Sequence, residues 1–337
     1  MKRVVIIGGG FAGATAAKRL GKSFDVTLID SKEYFEFTPG ILRGIAEPGH
    51  VTKLHVPHVE YLKHATIVVG DVTKIDETSV FVGKKALLYD YLIVSAGSSY
   101  SLPIKEPKVA MVDRGKHMLE AHIRVSRANN ILIVGGGLVG VELAAEIATT
   151  FPDKRLTLVH AGQELMERNA PRARKYALNF LEKHGVAVRL GKMMDTHGST
   201  FLIDEKPLPV DVAFYCTGIA PNTSIVPFPK NEKGYVIVNE HMQVNPRVYA
   251  PGDLNTLAME KTGQNAQRQA IIAAENIMRT EKGKPLISYV MKKTPMCISL
   301  GRRDGILELN GLVLTGFFPG WLKCTIEWWE LFKLRYF

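Results

Sequence analysis

Short runs of β-branched and leucine residues alternate along this chain with longer stretches whose apolar positions recur every three to four residues, a pattern of strands feeding helices. Val4 to Ile7 is such a run, and Ala14 to Leu20 behind it reads as a helix, with Asp25 to Ile29 as the next strand. The same order returns at Ile131 to Val134, followed by a helix beyond Gly140 and a strand from Arg155 to Val159. Tyr89 to Val94 and Asp211 to Tyr215 are matching strands that run into Gly97 and Gly218, and Val248-Tyr249 leads through Gly252 to Asp253 before a helix-like stretch from Asn265 to Met278. Strands alternating with helices in this way predict an α/β fold with parallel sheets, and the duplicated order predicts two similar units.

The turn chemistry makes both units specific. The first strand runs into Gly8-Gly9-Gly10-Phe11-Ala12-Gly13. Gly8 permits a tight turn, Gly10 lets a pyrophosphate approach the backbone and Gly13 lets helix and strand pack closely, so the helix N-terminus faces the phosphates. Asp30, at the end of the next strand, is placed to accept hydrogen bonds from an adenosine ribose. The second unit carries Gly135, Gly137 and Gly140 in the same grammar, but its second strand ends at His160. A carboxylate there would repel a 2′-phosphate; without one, NADH and NADPH both remain open, and Arg168 and Arg172 read either as phosphate contacts or as solvated helix surface. One fingerprint suffices for a single-site dehydrogenase, whereas passing a hydride from a nicotinamide to a flavin takes two. Asp253, at a strand end beside a helix, can hydrogen-bond a cofactor hydroxyl.

Composition narrows the classes. The 337 residues are 46% hydrophobic and 23% charged, which is globular, and no run of eighteen apolar residues provides a membrane span. The net charge of +10 favours anionic partners: phosphate-bearing cofactors, acidic membranes or nucleic acid. Nucleic acid is disfavoured as a main partner because Lys and Arg are scattered. The three cysteines, Cys216, Cys297 and Cys324, form no C-x-x-C, which argues against a disulfide framework, a zinc finger or a redox dithiol beside the flavin. Cys216, in an apolar strand, reads as a buried inert thiol. His50, His55 and His58 lack companion ligands and are interrupted by Pro57, so no metal is expected and they read as a loop surface. Strand residues follow Met1 at once, with neither a leader nor the glycine at position 2 that myristoylation requires, and a cytoplasmic protein is expected.

Taken in order, these motifs resemble the two-dinucleotide-binding-domain flavoprotein superfamily, whose fold is glutathione-reductase-like. Within it the chain is similar to the apoptosis-inducing-factor-2 or ferroptosis-suppressor group, close to type II NADH dehydrogenases. The carriers are Gly135 to Glu142 followed by Ala144-Ala145-Glu146-Ile147, the strand ending Leu158-Val159-His160, Val238 to Val244, and Ser299 to Gly305. The resemblance implies an FAD-binding domain at 1–105 and 228–282, an inserted NAD(P)H-binding domain at 106–227, and a C-terminal α+β domain at 283–337. It implies FAD on Gly8 to Gly13 and Asp30, with Arg43 near the cofactor, Val68 beside the adenine and Asp253 at the ribityl chain. NADH or NADPH would use Gly135, Gly137, Gly140 and His160, with Gly97 and Gly218 at the crossings between domains. Lys105 and Lys261 match positions near the flavin. Glu142 and Lys261 are the implied catalytic positions, Glu142 pointing toward the junction of nicotinamide and flavin; Glu142 also reads as a carboxylate favourably placed on a helix dipole. Mammalian members carry the myristoylation signal that Lys2 replaces here, and the loop Tyr34 to Pro39 departs from the animal form.

Without a cysteine pair, the reduced flavin would serve an external acceptor directly, and the implied acceptor is a quinone of the ubiquinone or vitamin K type. A soluble reductase of a small protein or radical, and a nucleic-acid-binding flavoprotein, are the alternative readings. The segment Trp321 to Phe337 holds all three tryptophans. Lys323, Glu327 and Glu330 form one polar stripe there, with Trp321, Trp328, Trp329 and Phe332 elsewhere. Such a helix either lies peripherally in a membrane interface or docks on the protein's own core or across a homodimer.

Overall fold

The computed structural model describes residues 1–100, 103–105, 111–197, 200–257 and 260–336, so the expected domain edge at residue 106 and the terminal Phe337 lie outside the described residues. The chain opens with β1 (Arg3–Ile7), α1 (Phe11–Leu20), β2 (Asp25–Asp30), β3 (Ala65–Val69) and β4 (Tyr91–Val94). It continues through α2 (Met111–Arg127), β5 (Asn130–Val134), α3 (Leu138–Thr150), β6 (Arg155–His160), α4 (Pro171–Lys183), β7 (Ala187–Leu190) and β8 (Val212–Tyr215). Then come β9 (Gln243–Asn245), β10 (Val248–Tyr249), α5 (Gly263–Glu281), β11 (Met296–Leu300), β12 (Asp304–Leu309), β13 (Leu312–Gly316) and α6 (Phe317–Tyr336).

The apolar runs pair in parallel, as their unbroken hydrophobicity requires of strands covered on both faces. The first sheet has the order β9-β10-β4-β1-β2-β3, so it is assembled from both ends of a long segment of chain. Its register sets Ile7 against both Ile29 and Val94, which brings Gly8, Asp30 and Ser95 to one edge. On one face α1 packs against α5. Both helices bury alanines at the contact, Ala12 and Ala16 on α1 and Ala266, Ala270 and Ala273 on α5, and small side chains let the axes approach closely.

The second sheet, β7-β6-β5-β8, repeats the register: Val134 faces both Val159 and Tyr215. The two units are laced together where Ser98–Ser99 pairs antiparallel with Ala220–Pro221. An antiparallel sheet, β11-β12-β13, follows, and α6 lies on it.

Candidate functional site

The first glycine loop is shaped by what its glycines exclude. Gly8 sits at φ +92°, and a Cβ there would stand 2.4 Å from the Ser95 carbonyl oxygen; one on Gly13 would stand 1.8 Å from that of Gly8. These two positions need glycine to let helix and strand touch. A Cβ on Gly10 would meet nothing, because Gly10 faces open space at the start of α1. No side chain caps α1, whereas Thr262 Oγ1 accepts from the Asn265 N–H at the start of α5. The uncapped amides of α1 therefore present donors and the positive end of a dipole to an anion.

Asp30 closes the loop from β2. Its Oδ2 accepts from the Gly9 N–H at 2.5 Å, and its Oδ1 from the Lys32 N–H at 3.0 Å. Behind it His58 is fully buried, with Nε2 3.4 Å from Asp30 Oδ2 but out of hydrogen-bonding geometry, and Nδ1 2.7 Å from the Tyr61 hydroxyl. Burial pushes Asp30 up, but His58 and the Lys32 N–H outweigh it and hold the carboxyl below its usual range. The loop-surface reading of the histidines is thus overturned. His58 backs Asp30, and His55 is buried with Nε2 3.2 Å from Glu36 Oε2. His50, partly buried, pairs with Glu327 at 3.1 Å. Buried carboxylates draw these rings inward, a long-range pairing that local spacing does not display.

From this loop a cleft of about 1390 Å³ runs through the molecule. That exceeds the roughly 300–1,000 Å³ of ordinary small-molecule pockets, so it suits an extended ligand. Gly8, Gly9, Gly10, Phe11, Ala12 and Asp30 line one end, and Gly97, Lys105, Asp253 and Lys261 line its middle, while Gly13 packs beneath. Asp253 Oδ2 accepts from Ser98 Oγ at 2.8 Å and lies 3.4 Å from Lys105 Nζ. The two residues before Lys105 are held by Arg114, a fully buried guanidinium that donates to the carbonyls of Pro103 (2.7 Å) and Ile104 (3.1 Å) and to Glu36 Oε2 (2.8 Å). Against the upward push of burial, His55, Lys32 and Arg114 draw Glu36 down to about 2. Lys261 Nζ donates to the Asn255 carbonyl at 2.5 Å and lies over the Tyr235 ring. Its burial lowers its pKa, with Asp253 opposing.

The second loop reproduces the first. Gly135 sits at φ +110° with its absent Cβ 2.3 Å from the Cys216 carbonyl oxygen; that of Gly140 would lie 1.9 Å from Gly135 O, and that of Gly137 meets nothing. No side chain caps α3. His160 stands against Gly136, and Gly218, at φ +117°, is exposed. None of these glycines lines the cleft, yet the first turns of α3 do, through Leu138, Val139 and Glu142. Glu142 Oε1 accepts from the Ser299 N–H (2.9 Å), Ser299 Oγ (3.1 Å) and Lys323 Nζ (3.0 Å). Burial alone would depress Lys323, but Glu142 overcomes it and raises the ammonium above its usual range. Sequence reasoning reached Lys323 only as part of a stripe; its position on the polar side of an aromatic helix was the available signal.

Two expected contacts fall elsewhere. Arg43 is buried outside the cleft, with Nε 3.3 Å from Glu146 Oε1 and its other nitrogens toward Cys324 Sγ and the Gly301 carbonyl. It ties the first unit to α3 and to the C-terminal region, because a buried guanidinium requires a carboxylate and Glu146 provides it. Val68, paired with Ile29 in the outer strand, does not line the cleft either, whose edge there is Gly70, Asp71 and Val72.

The stripe on α6 faces the protein. Lys323 meets Glu142, Glu327 meets His50 and Glu330 accepts from Gln267, while Leu331 is buried. Phe317, Phe318, Trp321, Trp328 and Trp329 are left exposed, Trp328 at 60%. Ile326 of α6 lines the cleft, as do Met296, Cys297 and Ile298 of β11. Burial pushes the Cys297 thiol up to about 11 and the Cys216 thiol to about 12, so neither is poised as a thiolate. No helix among the described residues is long and apolar enough to cross a membrane.

The model of one protein family, described as pyridine nucleotide-disulphide oxidoreductase, matches residues 2–270. The ferroptosis suppressor protein 1 of Xenopus tropicalis is 30% identical over 341 residues, covering 94% of this chain and 91% of that one. Among solved structures, the sulfide:quinone oxidoreductase of Aquifex aeolicus superposes with TM-score 0.84 at 16% identity, covering 99% of this chain and 92% of that one. NDH2 from Plasmodium falciparum in complex with NADH superposes with TM-score 0.83 at 16% identity, covering 99% and 96%.

Proposed function

The chain belongs to the pyridine nucleotide-disulphide oxidoreductase family, and on that premise we propose that it is an FAD-dependent NAD(P)H:quinone oxidoreductase. One observation carries the reading: α3 starts at the second glycine loop and lines the cleft of the first through Leu138, Val139 and Glu142. A nucleotide seated on one loop therefore reaches the same space as a nucleotide seated on the other. The residues fit FAD in the cleft. Gly10 leaves room where a side chain would fill the phosphate position, the α1 amides have no capping side chain, and Asp30 offers a carboxylate at the strand end. FAD, when bound, accepts two electrons as a hydride from the nicotinamide and returns them to an acceptor.

The protein's own groups bind, orient and polarise. Asp30 and the α1 amides would hold ribose and pyrophosphate, and Asp253, fixed by Ser98 and Lys105, would hold the hydroxylated chain. Lys261 sets a positive charge beside Asp253 in the middle of the cleft. Lys323 lines the cleft and carries a proton at Nζ, stabilised by Glu142. Met296, Ile298 and Ile326 line the same cleft, apolar surface that suits a planar quinone ring. Cys216, Cys297 and Cys324 are free thiols, which fits an acceptor that would take electrons from the flavin directly.

α6 lines the cleft through Lys323, Ile326 and Glu330 and leaves Phe317, Phe318, Trp321, Trp328 and Trp329 exposed. Tryptophan rings favour the headgroup region of a bilayer, so the surface fits a peripheral membrane position from which an isoprenoid tail could stay in lipid while the ring enters. The same proposal divides the chain at 1–105 with 228–282, 106–227 and 283–337. Anaerobic stopped-flow absorbance tests it. The yellow protein should bleach with NADH or NADPH and recover colour rapidly and saturably with a short-chain ubiquinone. Recovery no faster than with air would remove the quinone assignment, and no bleaching would remove the oxidoreductase mechanism.

A further inference from the structure

The side chain at the end of the second strand is where the two glycine loops part. A Cβ on Gly9 would stand 2.5 Å from Asp30 Oδ2, and one on Gly136 would stand 2.8 Å from His160 Cγ, so His160 occupies the place of Asp30. The strand end of the second loop thus lacks the carboxylate that distinguishes a ribose hydroxyl from a ribose phosphate.

The segment after β6 returns one. It folds back over the loop, the Met166 N–H donating to the Gly136 carbonyl at 2.9 Å. Met166 is buried in the left-handed region at φ +48°, a conformation unfavourable to its side chain. The turn delivers the next residue, Glu167, to the strand end, where Oε1 lies 4.0 Å from His160 Nε2. A Cβ on Gly162 would be 1.8 Å from that same oxygen, so the glycine is what admits the carboxylate. Three of the neighbouring cations are paired with other carboxylates. Arg168 pairs with Glu260 at 3.4 Å, Arg174 with Glu164 at 2.5 Å and Lys192 with Asp204 at 2.7 Å, while Arg172 is exposed in the first turn of α4.

We propose that Glu167 is the specificity-determining residue of the second nucleotide site, accepting from the ribose 2′-hydroxyl of NADH and repelling the 2′-phosphate of NADPH. The inference rests on the reading that a nicotinamide dinucleotide occupies this loop. A carboxylate serves a 2′-hydroxyl as acceptor, whereas a 2′-phosphate requires cations. Backbone strain at Met166 and a glycine at 162 serve the placement of this one side chain.

The test reads flavin reduction without any acceptor, so it is independent of the quinone assignment. Wild type, Glu167→Gln and Glu167→Arg are purified with FAD, checked for equal flavin content and melting temperature, and mixed anaerobically with NADH or NADPH over a range of concentrations. The readout is the ratio of the apparent dissociation constants for NADPH and NADH. The wild type should favour NADH by about tenfold or more, the order of one unfavourable charge contact. Glu167→Gln should shrink the ratio several-fold, chiefly through tighter NADPH, and Glu167→Arg should invert it. A wild type indifferent to the phosphate, or a ratio unmoved by either variant, overturns the inference while leaving the oxidoreductase intact. Failure of both nucleotides to bleach the wild-type flavin overturns the reading of the loop itself, and the inference with it.

Discussion

The two glycine loops, Gly8 to Gly13 and Gly135 to Gly140, share a backbone and differ in what surrounds it. Each has a left-handed first glycine against a carbonyl, of Ser95 or of Cys216, a middle glycine facing open space, and a last glycine pressed on the first. Around the first, Asp30, backed by buried His58, lines a cleft with Lys105 and Asp253; around the second the strand ends in His160 and the glycines lie outside that cleft. The two loops therefore share one backbone geometry, and side chains brought from elsewhere in the chain are what set them apart.

Matched glycine substitutions should break the comparison most severely. Gly13→Ala and Gly140→Ala each insert a Cβ within 2 Å of a carbonyl oxygen, an overpacking expected to cost about 1–3 kcal/mol or more locally. Gly13→Ala should be purified with little or no flavin. Gly140→Ala should remain yellow yet lose flavin bleaching by nicotinamide at concentrations that saturate the wild type. Absorbance at the flavin band before and after NADH separates the two; equal flavin loss in both variants would deny the loops their separate roles.

A smaller difference should appear in acid. The folded-state pKa values of Asp30 and Glu36 lie below their ordinary 3.8 and 4.5, Glu36 at about 2. The stability they contribute is complete above those ordinary values and is lost as pH falls through the depressed ones. Glu146 behind the second loop has the opposite sign: burial, only partly offset by Arg43, raises it, so its contribution is present below about 4.5 and is lost as pH rises through its folded value. Flavin release followed by fluorescence should therefore begin as pH drops below about 4.5. Asp30→Asn should release flavin more readily above about pH 4, by roughly tenfold or more, since a charge-assisted hydrogen bond contributes about 1.5–3 kcal/mol, and the difference should shrink in acid as the wild-type carboxyl protonates. Retention unaltered by that change would remove Asp30 from the site.

The smallest effect belongs to the pair Ser95 and Cys216, which occupy equivalent places. Cys216→Ser should change the melting free energy by about 1 kcal/mol or less, because the counterpart position already carries a serine whose Oγ donates to the Ile7 carbonyl. With the thiol at about 12, alkylation at pH 8 read by mass spectrometry should reach Cys216 only after unfolding. Rapid labelling of the native protein would contradict the burial.

Much of this was legible from neighbouring residues. Gly8 to Gly13, Gly135 to Gly140, Asp30 and Asp253 announce themselves because turn, helix start and strand end lie close in sequence and obey local sterics. Arg43, Val68 and the histidines did not follow. Arg43 meets Glu146, and His58 meets Asp30, across separations that no periodicity encodes. The polar stripe of α6 was visible as Lys323, Glu327 and Glu330, but the direction it faces was not. In a soluble helix such a stripe ordinarily meets water, and here it meets Glu142, His50 and Gln267.

By itself the sequence determined two parallel α/β units, each with a glycine loop opening a helix, since strand runs and glycine spacing act within a few residues and owe little to the remainder of the chain. Only the tertiary structure decided that α3 of one unit lines the cleft of the other, that Lys323 closes on Glu142, and that Glu167 is turned back toward His160. The reason is physical. Buried charges must find partners wherever packing places them, and those partners are chosen by the meeting of distant segments rather than by the order of the residues.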